Sequence, residues 1–593
     1  MSKAIVRFLA ILGALWLIGM VIVLVAVIGK KGRVPSKTIL EANFEQTFLE
    51  DAPDTPTARL MLNQKQTLRD VVDAIDRGAS DDRVVGMIAK IGAAPLGMAQ
   101  TQEIRDAVQR FRAHNKFAVA YSETFGEFGP GNGSYYLATA FDHIYLQPSG
   151  DVGLTGIIME SPFVKGTLSK LGMTFHGDHR YEYKNALNSL TETKYTAPHK
   201  EAMTAIMNSW FNQMKDGICQ ARQIAPDKFQ AIVDAGPYLG KEAVAAKLVD
   251  AVAYRDEVYG DVKNKAGDGA ELLYLDKYLS RAGRPHDHGK TIALVFGVGG
   301  VTRGLSDYDP VQGSQTMGSD TVAGAIRAAA DDKDVKAILF RVDSPGGSYV
   351  ASDTIWREVV RARQAGKPVI VSMGNLAGSG GYFVAMAADK IVAEPGTITA
   401  SIGVLGGKML TSGLWDKVGL SWDEVHDGEN ATMFTGTHDY TPAEWGRFQA
   451  WLDRVYVDFT SKVADGRRLP KEKVLEIAKG RIWSGQDAKN LGLVDELGGY
   501  DTALKLAKQA AKVPEADDVR IVVFPRAKTL LESMLDRRGP DNSDKEAIGQ
   551  TLTKVLQVVQ PVARQLDAAG IKSRKNNEDQ DEVLRMMELE VEK

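Results

Sequence analysis

Cysteine is almost absent: 593 residues contain one, Cys219. A lone thiol forms no intramolecular disulfide and leaves the redox compartment open. It also excludes a zinc site built on cysteines. An excess of either charge is missing too, with 72 Lys+Arg against 76 Asp+Glu and a net charge of −4. No long Lys/Arg run interrupts that balance, so nucleic acid is not an expected partner. Histidine is sparse at nine residues. Two of these, His286 and His288, share the turn-rich stretch Arg281–Lys290, which reads as a solvated linker rather than a metal site because no further ligand lies nearby in sequence.

Long apolar runs are lacking with one exception. Phe8–Ile28 carries no charge, and at about 1.5 Å per residue it spans a hydrocarbon core of about 30 Å as a helix. No A-x-A-like exit follows it, so it reads as an uncleaved anchor rather than a signal peptide. Lys3 and Arg7 on one side and Lys30, Lys31 and Arg33 on the other leave its orientation undecided by charge.

What is present is repetition. Val84–Ile91, Gln102–Ala113 and Phe117–Tyr121 read as strand, helix, strand. Val335–Val342, Ser352–Gln364 and Pro368–Ser372 repeat that order. Asp81 answers Asp331, Pro148 answers Pro395 and Leu248 answers Leu493, at separations of 250, 247 and 245. Such a slowly drifting offset indicates duplication. Apolar strands alternating with helices imply α/β units with largely parallel sheets covered on both faces. The expected layout is an anchor over 1–34, a first copy over 35–285, a second over 286–518 and a C-terminal extension over 519–593. In that extension Ala547–Ala568 has helical periodicity and Ser573–Lys593 is a charged tail.

Three glycine-containing turns follow apolar strands of the second copy. Ser344-Pro345-Gly346-Gly347 precedes a helical stretch, where outward backbone N–H groups can hold an oxyanion, an effect of roughly 3–4 kcal/mol per donor. Ala377–Gly381 also opens a helix and approaches a G-x-S-x-G elbow. A serine at a helix start more often caps it through its hydroxyl, and Ser379 is read that way. The third turn, Thr397–Gly407, holds Ser401 where the first copy has Leu154.

A serine needs a base. His426 and His438 fall in polar segments with nothing to recommend them. Lys184, in Tyr183-Lys184-Asn185, stands where the second copy has Ala431. A free lysine is neutral in only about one molecule in two thousand at pH 7, but burial disfavours the ammonium form. On residue pattern alone, Lys184 reads as one of many surface lysines.

The motifs Ser344–Gly347 (SPGG), Ala377–Phe383 (AGSGGYF), Thr399–Gly403 (TASIG), Tyr183-Lys184 and Trp483–Gly499 (WSGQDAKNLGLVDELGG) together resemble the protease IV, or signal peptide peptidase A, family in its long tandem form. The resemblance covers the chain to about residue 515, with Gly378 and Ala400 departing from the family pattern. It implies ClpP/crotonase-like repeats, each a spiral of ββα units. It implies Ser401 as nucleophile, Lys184 as general base, oxyanion donors at Gly346 and Gly347, and Ser379 as a helix-start residue. It further implies a membrane-anchored homotetramer on the periplasmic side of the cytoplasmic membrane that degrades remnant signal peptides without metal or cofactor. Two alternatives stay open at this point: a crotonase-type acyl-CoA enzyme, and a peptide-binding membrane scaffold without activity.

Overall fold

Two sheets that share a path of six parallel strands express the duplication in space. The protein is described here from a computed structural model covering residues 32–51, 65–92, 96–309 and 314–525. The expected anchor at Phe8–Ile28 and the C-terminal extension after residue 525 lie outside the described residues. Among the described residues no helix is long and apolar enough to cross a membrane.

The first sheet runs Ala251–Val252, His143–Leu146, Phe117–Ser122, Val84–Ile91, Thr38–Phe44, Glu271–Tyr274. The second has the path Glu496–Leu497, Lys390–Ala393, Val369–Gly378, Val335–Ser344, Lys290–Val298, Val519–Phe524. It adds Ile398–Ala400 beside the end of Val369–Gly378, and Ile482–Ser484 antiparallel to Ile398–Ala400. Every neighbouring pair along both paths is parallel. The strands are apolar runs because helices cover both faces. One face of the second sheet packs against Ser319–Asp331 and Tyr349–Gln364, and the other against Tyr500–Ala510. The first copy is layered in the same manner.

Equivalent residues repeat equivalent contacts. The Tyr135 hydroxyl donates to the Leu248 carbonyl, and that of Tyr382 to the Leu493 carbonyl. Arg222 pairs with Asp250, and Arg467 with Asp495. Each copy has a 26-residue helix, Ala197–Arg222 or Pro442–Arg467, capped by a threonine and closed by a left-handed residue. Thr441 and Glu444 form a full capping box, which satisfies two N–H groups that the helix start would otherwise leave unpaired.

Element ends depart from the sequence expectation where tertiary contacts extend them. The helix expected from Gln102 starts at Met98. Its first turn is buried between the copies, and the Gln100 N–H donates to Asn375 Oδ1 of the second copy at 3.1 Å. The strand expected to end at Ser372 runs on to Gly378, carrying its backbone to the edge of the next turn. The described residues of both copies belong to one compact unit.

Candidate active site

Lys184 reaches the second copy because a strand carries it there. Thr174–Arg180 pairs antiparallel with Val404–Leu410, Arg180 lying opposite Val404. Arg180 then donates to Asp453 Oδ1 at 2.6 Å and to Gln449 Oε1 at 2.7 Å on the helix Pro442–Arg467. The turn that follows is pinned by one acceptor: the Lys479 carbonyl takes the N–H groups of Tyr181 and Tyr183. Lys184 ends this turn 4% exposed.

Its Nζ meets two serines. It lies 2.9 Å from Ser401 Oγ, 3.0 Å from Ser379 Oγ and 2.7 Å from the Ser401 carbonyl oxygen. The pairing is made within one chain. No carboxylate forms an ion pair with Lys184 among the described residues, and burial alone lowers its pKa to about 7. About half of such amines are neutral at pH 7, against about one in two thousand for a free lysine.

Ser379 does not cap its helix, contrary to the sequence expectation. A capping residue sits in the extended region and turns its oxygen onto the helix N–H groups. Ser379 has φ 52° and ψ −115°, and its side chain makes no cap bond. The backbone instead aims the hydroxyl out of the helix at Lys184. A non-glycine residue in such a region costs on the order of 1–3 kcal/mol and persists only where its surroundings enforce it. Here the Ser379 N–H is held by the Ala400 carbonyl at 2.8 Å, and its carbonyl by the Phe383 N–H at 2.9 Å. Ser401 also has positive φ, 51°. Its N–H donates to the Arg481 carbonyl at 2.8 Å, and its hydroxyl lies 3.5 Å from the Gly480 carbonyl.

The turn Ser344–Gly347 lies against Ser379. A Cβ on Gly346 would sit 2.7 Å from Ser379 Cβ and 2.5 Å from the Gly380 nitrogen, and φ at Gly346 is +96°. The two glycines expected to supply oxyanion donors differ. The Gly346 N–H already donates to Ser344 Oγ at 3.1 Å. The Gly347 N–H has no acceptor among the described residues, and neither does that of Gly380, the first residue of a helix. These two groups adjoin, since a Cβ on Gly380 would lie 3.0 Å from the Gly347 nitrogen.

A cavity of about 900 Å³ opens over these groups. Its walls include Phe163, Met203, Val350, Phe383, Leu405 and Trp451, so apolar side chains are its natural occupants. His199 also lines it, but its ring meets Tyr195 and Phe163 edge to face and contacts Asn188, not a serine. His438 and His426 face Glu424 at the surface. Between the copies, Asp518 joins the histidine pair, with His286 Nδ1 2.7 Å from its carboxylate. His288 turns opposite ring nitrogens to Asp287 and Asp518, as bridging ion pairs do.

Sequence reasoning missed Gly480. Its φ is +81°, its N–H donates to the Ile402 carbonyl at 2.8 Å and its carbonyl lies 3.5 Å from Ser401 Oγ, next to the Lys479 carbonyl that pins the turn bearing Lys184. The available signal was the single glycine of Ala478–Arg481, between a helix and a strand.

The first copy lacks these groups. Leu154 is buried in place of Ser401. Asn132, in the helix position of Ser379, spends its side chain on Thr155 and Gly156 backbone.

Two stretches, residues 113–268 and 361–514, match the model of peptidase family S49. The chain belongs to that family. The S49 matches fall one in each copy and include Lys184 in the first, Ser379 and Ser401 in the second. Among curated relatives, Protease 4 of Salmonella typhi is 33% identical over 470 residues, covering 76% of this chain and 73% of that one. Protease 4 of Haemophilus influenzae is 31% identical, covering 83% of each. The chloroplastic serine protease SPPA of Arabidopsis thaliana is 29% identical, covering 83% of this chain and 72% of that one. This chain is a serine peptidase of family S49, and the acyl-CoA and scaffold alternatives give way to it.

Proposed function

We propose that the chain is a membrane-anchored endopeptidase that cuts apolar peptides, remnant signal peptides among them, with Ser379 as nucleophile and Lys184 as general base. Ser401, expected as the nucleophile, instead orients the amine. What carries this reading is the strained conformation of Ser379 beside the glycine turn, with its hydroxyl on a buried neutral amine.

A neutral amine has two N–H groups and one lone pair. The Ser401 carbonyl and Ser401 Oγ accept the two N–H groups, and the lone pair then faces Ser379 O–H. Ser379 Oγ attacks the peptide carbonyl carbon while its proton passes to Lys184 Nζ. The new oxyanion rests on the N–H groups of Gly347 and Gly380. Lys184 returns the proton to the leaving nitrogen as the C–N bond breaks, giving an acyl-Ser379 ester and a free amine. Water then attacks that ester, gives its proton to Lys184 and releases the acid as Ser379 recovers its proton.

The apolar cavity supports apolar peptides as substrates. A relative from Enterococcus faecium, 34% identical over 191 residues, bears the name putative signal peptide peptidase, which supports remnant signal peptides as the class. The run Phe8–Ile28 supports an anchor in the bacterial cytoplasmic membrane, with the catalytic body on the periplasmic side and ClpP/crotonase-like spirals in each copy.

A homotetramer also belongs to this reading, supported by two segments that form no strand where their counterparts do. Counterparts of Thr174–Arg180 and Val404–Leu410 lie 247 residues away, at 421–427 and 157–163, judging from the left-handed Gly172 and Gly419 that end matching helices. Neither counterpart is a strand, and Trp422, Val425 and Ile158 are exposed. Residues 421–427 of one chain laid on 157–163 of the next repeat the internal pairing head to tail, a contact that forms a ring where its rotation closes.

Kinetics of Ser379→Ala and Ser401→Ala on an apolar peptide ester test the assignment. Ser379→Ala is expected to lose all turnover, and Ser401→Ala to retain a slow one. The opposite order returns the nucleophile to Ser401.

A further inference from the structure

The strands Val335–Ser344 and Val369–Gly378 run side by side, and each ends in one of the two turns that make the site. Their register slips just before those ends: Val342 lies opposite Met373, but Ser344 lies opposite Ala377. The second strand therefore carries two surplus residues within 374–376. Such a bulge bends the strand and leaves ladder groups without partners. The side chain of Asp343 fills the gap, with Oδ1 accepting the Leu376 N–H at 2.8 Å. Its backbone carbonyl accepts the Gly299 N–H at 2.9 Å. Gly374 faces it closely, since a Cβ there would lie 3.0 Å from Asp343 Cβ.

The charges around Asp343 are already committed. Arg341, on the same strand, gives Nε to Glu50, Nη2 to Glu103 and Nη1 to Ser372. Burial, then the Glu50 carboxylate, push the Asp343 carboxyl up to about 7. Backbone N–H groups of the bulge act in the opposite direction, so its hold on the bulge is also what sustains its charge.

The first copy supplies an internal comparison. Val84 and Val335 occupy one register, opposite Thr38 and Thr291, which makes Gly92 the counterpart of Asp343. The matching strand pair there runs in register from Gly86–Phe117 to Lys90–Tyr121, where its pairing ends. At the end of the strand Val84–Ile91, Gly92 brings no carboxylate, in the copy that has Asn132 and Leu154 where the second has Ser379 and Ser401.

We propose that Asp343 is a positioning residue that sets the spacing between the oxyanion turn at Gly347 and the nucleophile turn at Ser379. It acts through the bulge and touches no substrate. The inference rests on the reading of Ser379 as nucleophile.

The test uses the full chain, with kcat and KM for an apolar peptide ester and the rate of fluorophosphonate labelling. Asp343→Asn keeps the shape but exchanges a charge-assisted hydrogen bond for a weaker neutral one. It is expected to lower kcat and labelling about 10-fold with KM within twofold. Asp343→Ala removes the acceptor and is expected to lower both at least about 100-fold. An Asp343→Asn enzyme with kcat and labelling within twofold of wild type overturns the proposal, as does one in which KM alone rises. Ser379→Ala in the same assay separates the two readings: if it stays active, the nucleophile assignment fails, whatever Asp343 does.

Discussion

Residue 480 has no room for a side chain because Lys184 occupies the space. A Cβ on Gly480 would lie 2.4 Å from Lys184 Cβ and 2.6 Å from its backbone nitrogen. The positive φ of Gly480 adds strain for any other residue. Gly480→Ala is expected to push the lysine turn away from both serines and lower kcat at least about 100-fold, since a displacement of about 1 Å costs about that much. Steady-state kinetics with circular dichroism check this. Loss of activity should come with a native-like spectrum.

The pH dependence follows from the buried amine. With the Lys184 pKa lowered to about 7, the base is protonated and inactive below that pH and neutral above it. The kcat/KM profile for an uncharged ester is expected to rise tenfold per pH unit below about 7 and flatten by about pH 8. A rise centred near 10 would mean an exposed lysine.

Stability carries the same signature. The native state prefers neutral Lys184, and the unfolded chain titrates near 10.4. Between about pH 7 and 10.4 the unfolded chain binds more protons, so wild-type stability gains with rising pH from this group. Below about pH 7 the cost is fully present, at most on the order of 4–5 kcal/mol. Lys184→Met is therefore expected to raise the melting temperature more at pH 6 than at pH 9. Melting curves at the two pH values check it, and a larger gain at pH 9 contradicts it.

The two segments without strand pairing make a prediction of their own. Trp422→Ser with Val425→Ser removes apolar surface that the head-to-tail pairing would bury. Light scattering is expected to show a smaller assembly than wild type, while the melting temperature of the chain stays nearly unchanged. Equal masses would place the interface elsewhere.

The features legible in the sequence were those written in local pattern. Strands such as Val84–Ile91 show as apolar runs, and the drifting offset reveals two copies before any coordinates. Lys184 could be singled out only by resemblance, because its burial depends on the strand pairing Thr174–Arg180 with Val404–Leu410, 230 residues apart at their starts. Ser379 was misread because a serine at a helix start usually caps it, and no local pattern announces a φ of 52°. Gly346 was named as a donor because the sequence does not show that Ser344 claims its N–H. Gly480 and Asp343 act through contacts across the chain, to which single-sequence periodicity is blind. Asp518 likewise meets His286 only after the second copy has folded.

One measurement bears most directly on the account, mass spectrometry of the fluorophosphonate adduct after proteolysis at pH 8. The account predicts a single modified serine on the peptide carrying Ser379, with labelling abolished in Lys184→Ala. An adduct on Ser401, with Ser379 unmodified, would contradict it.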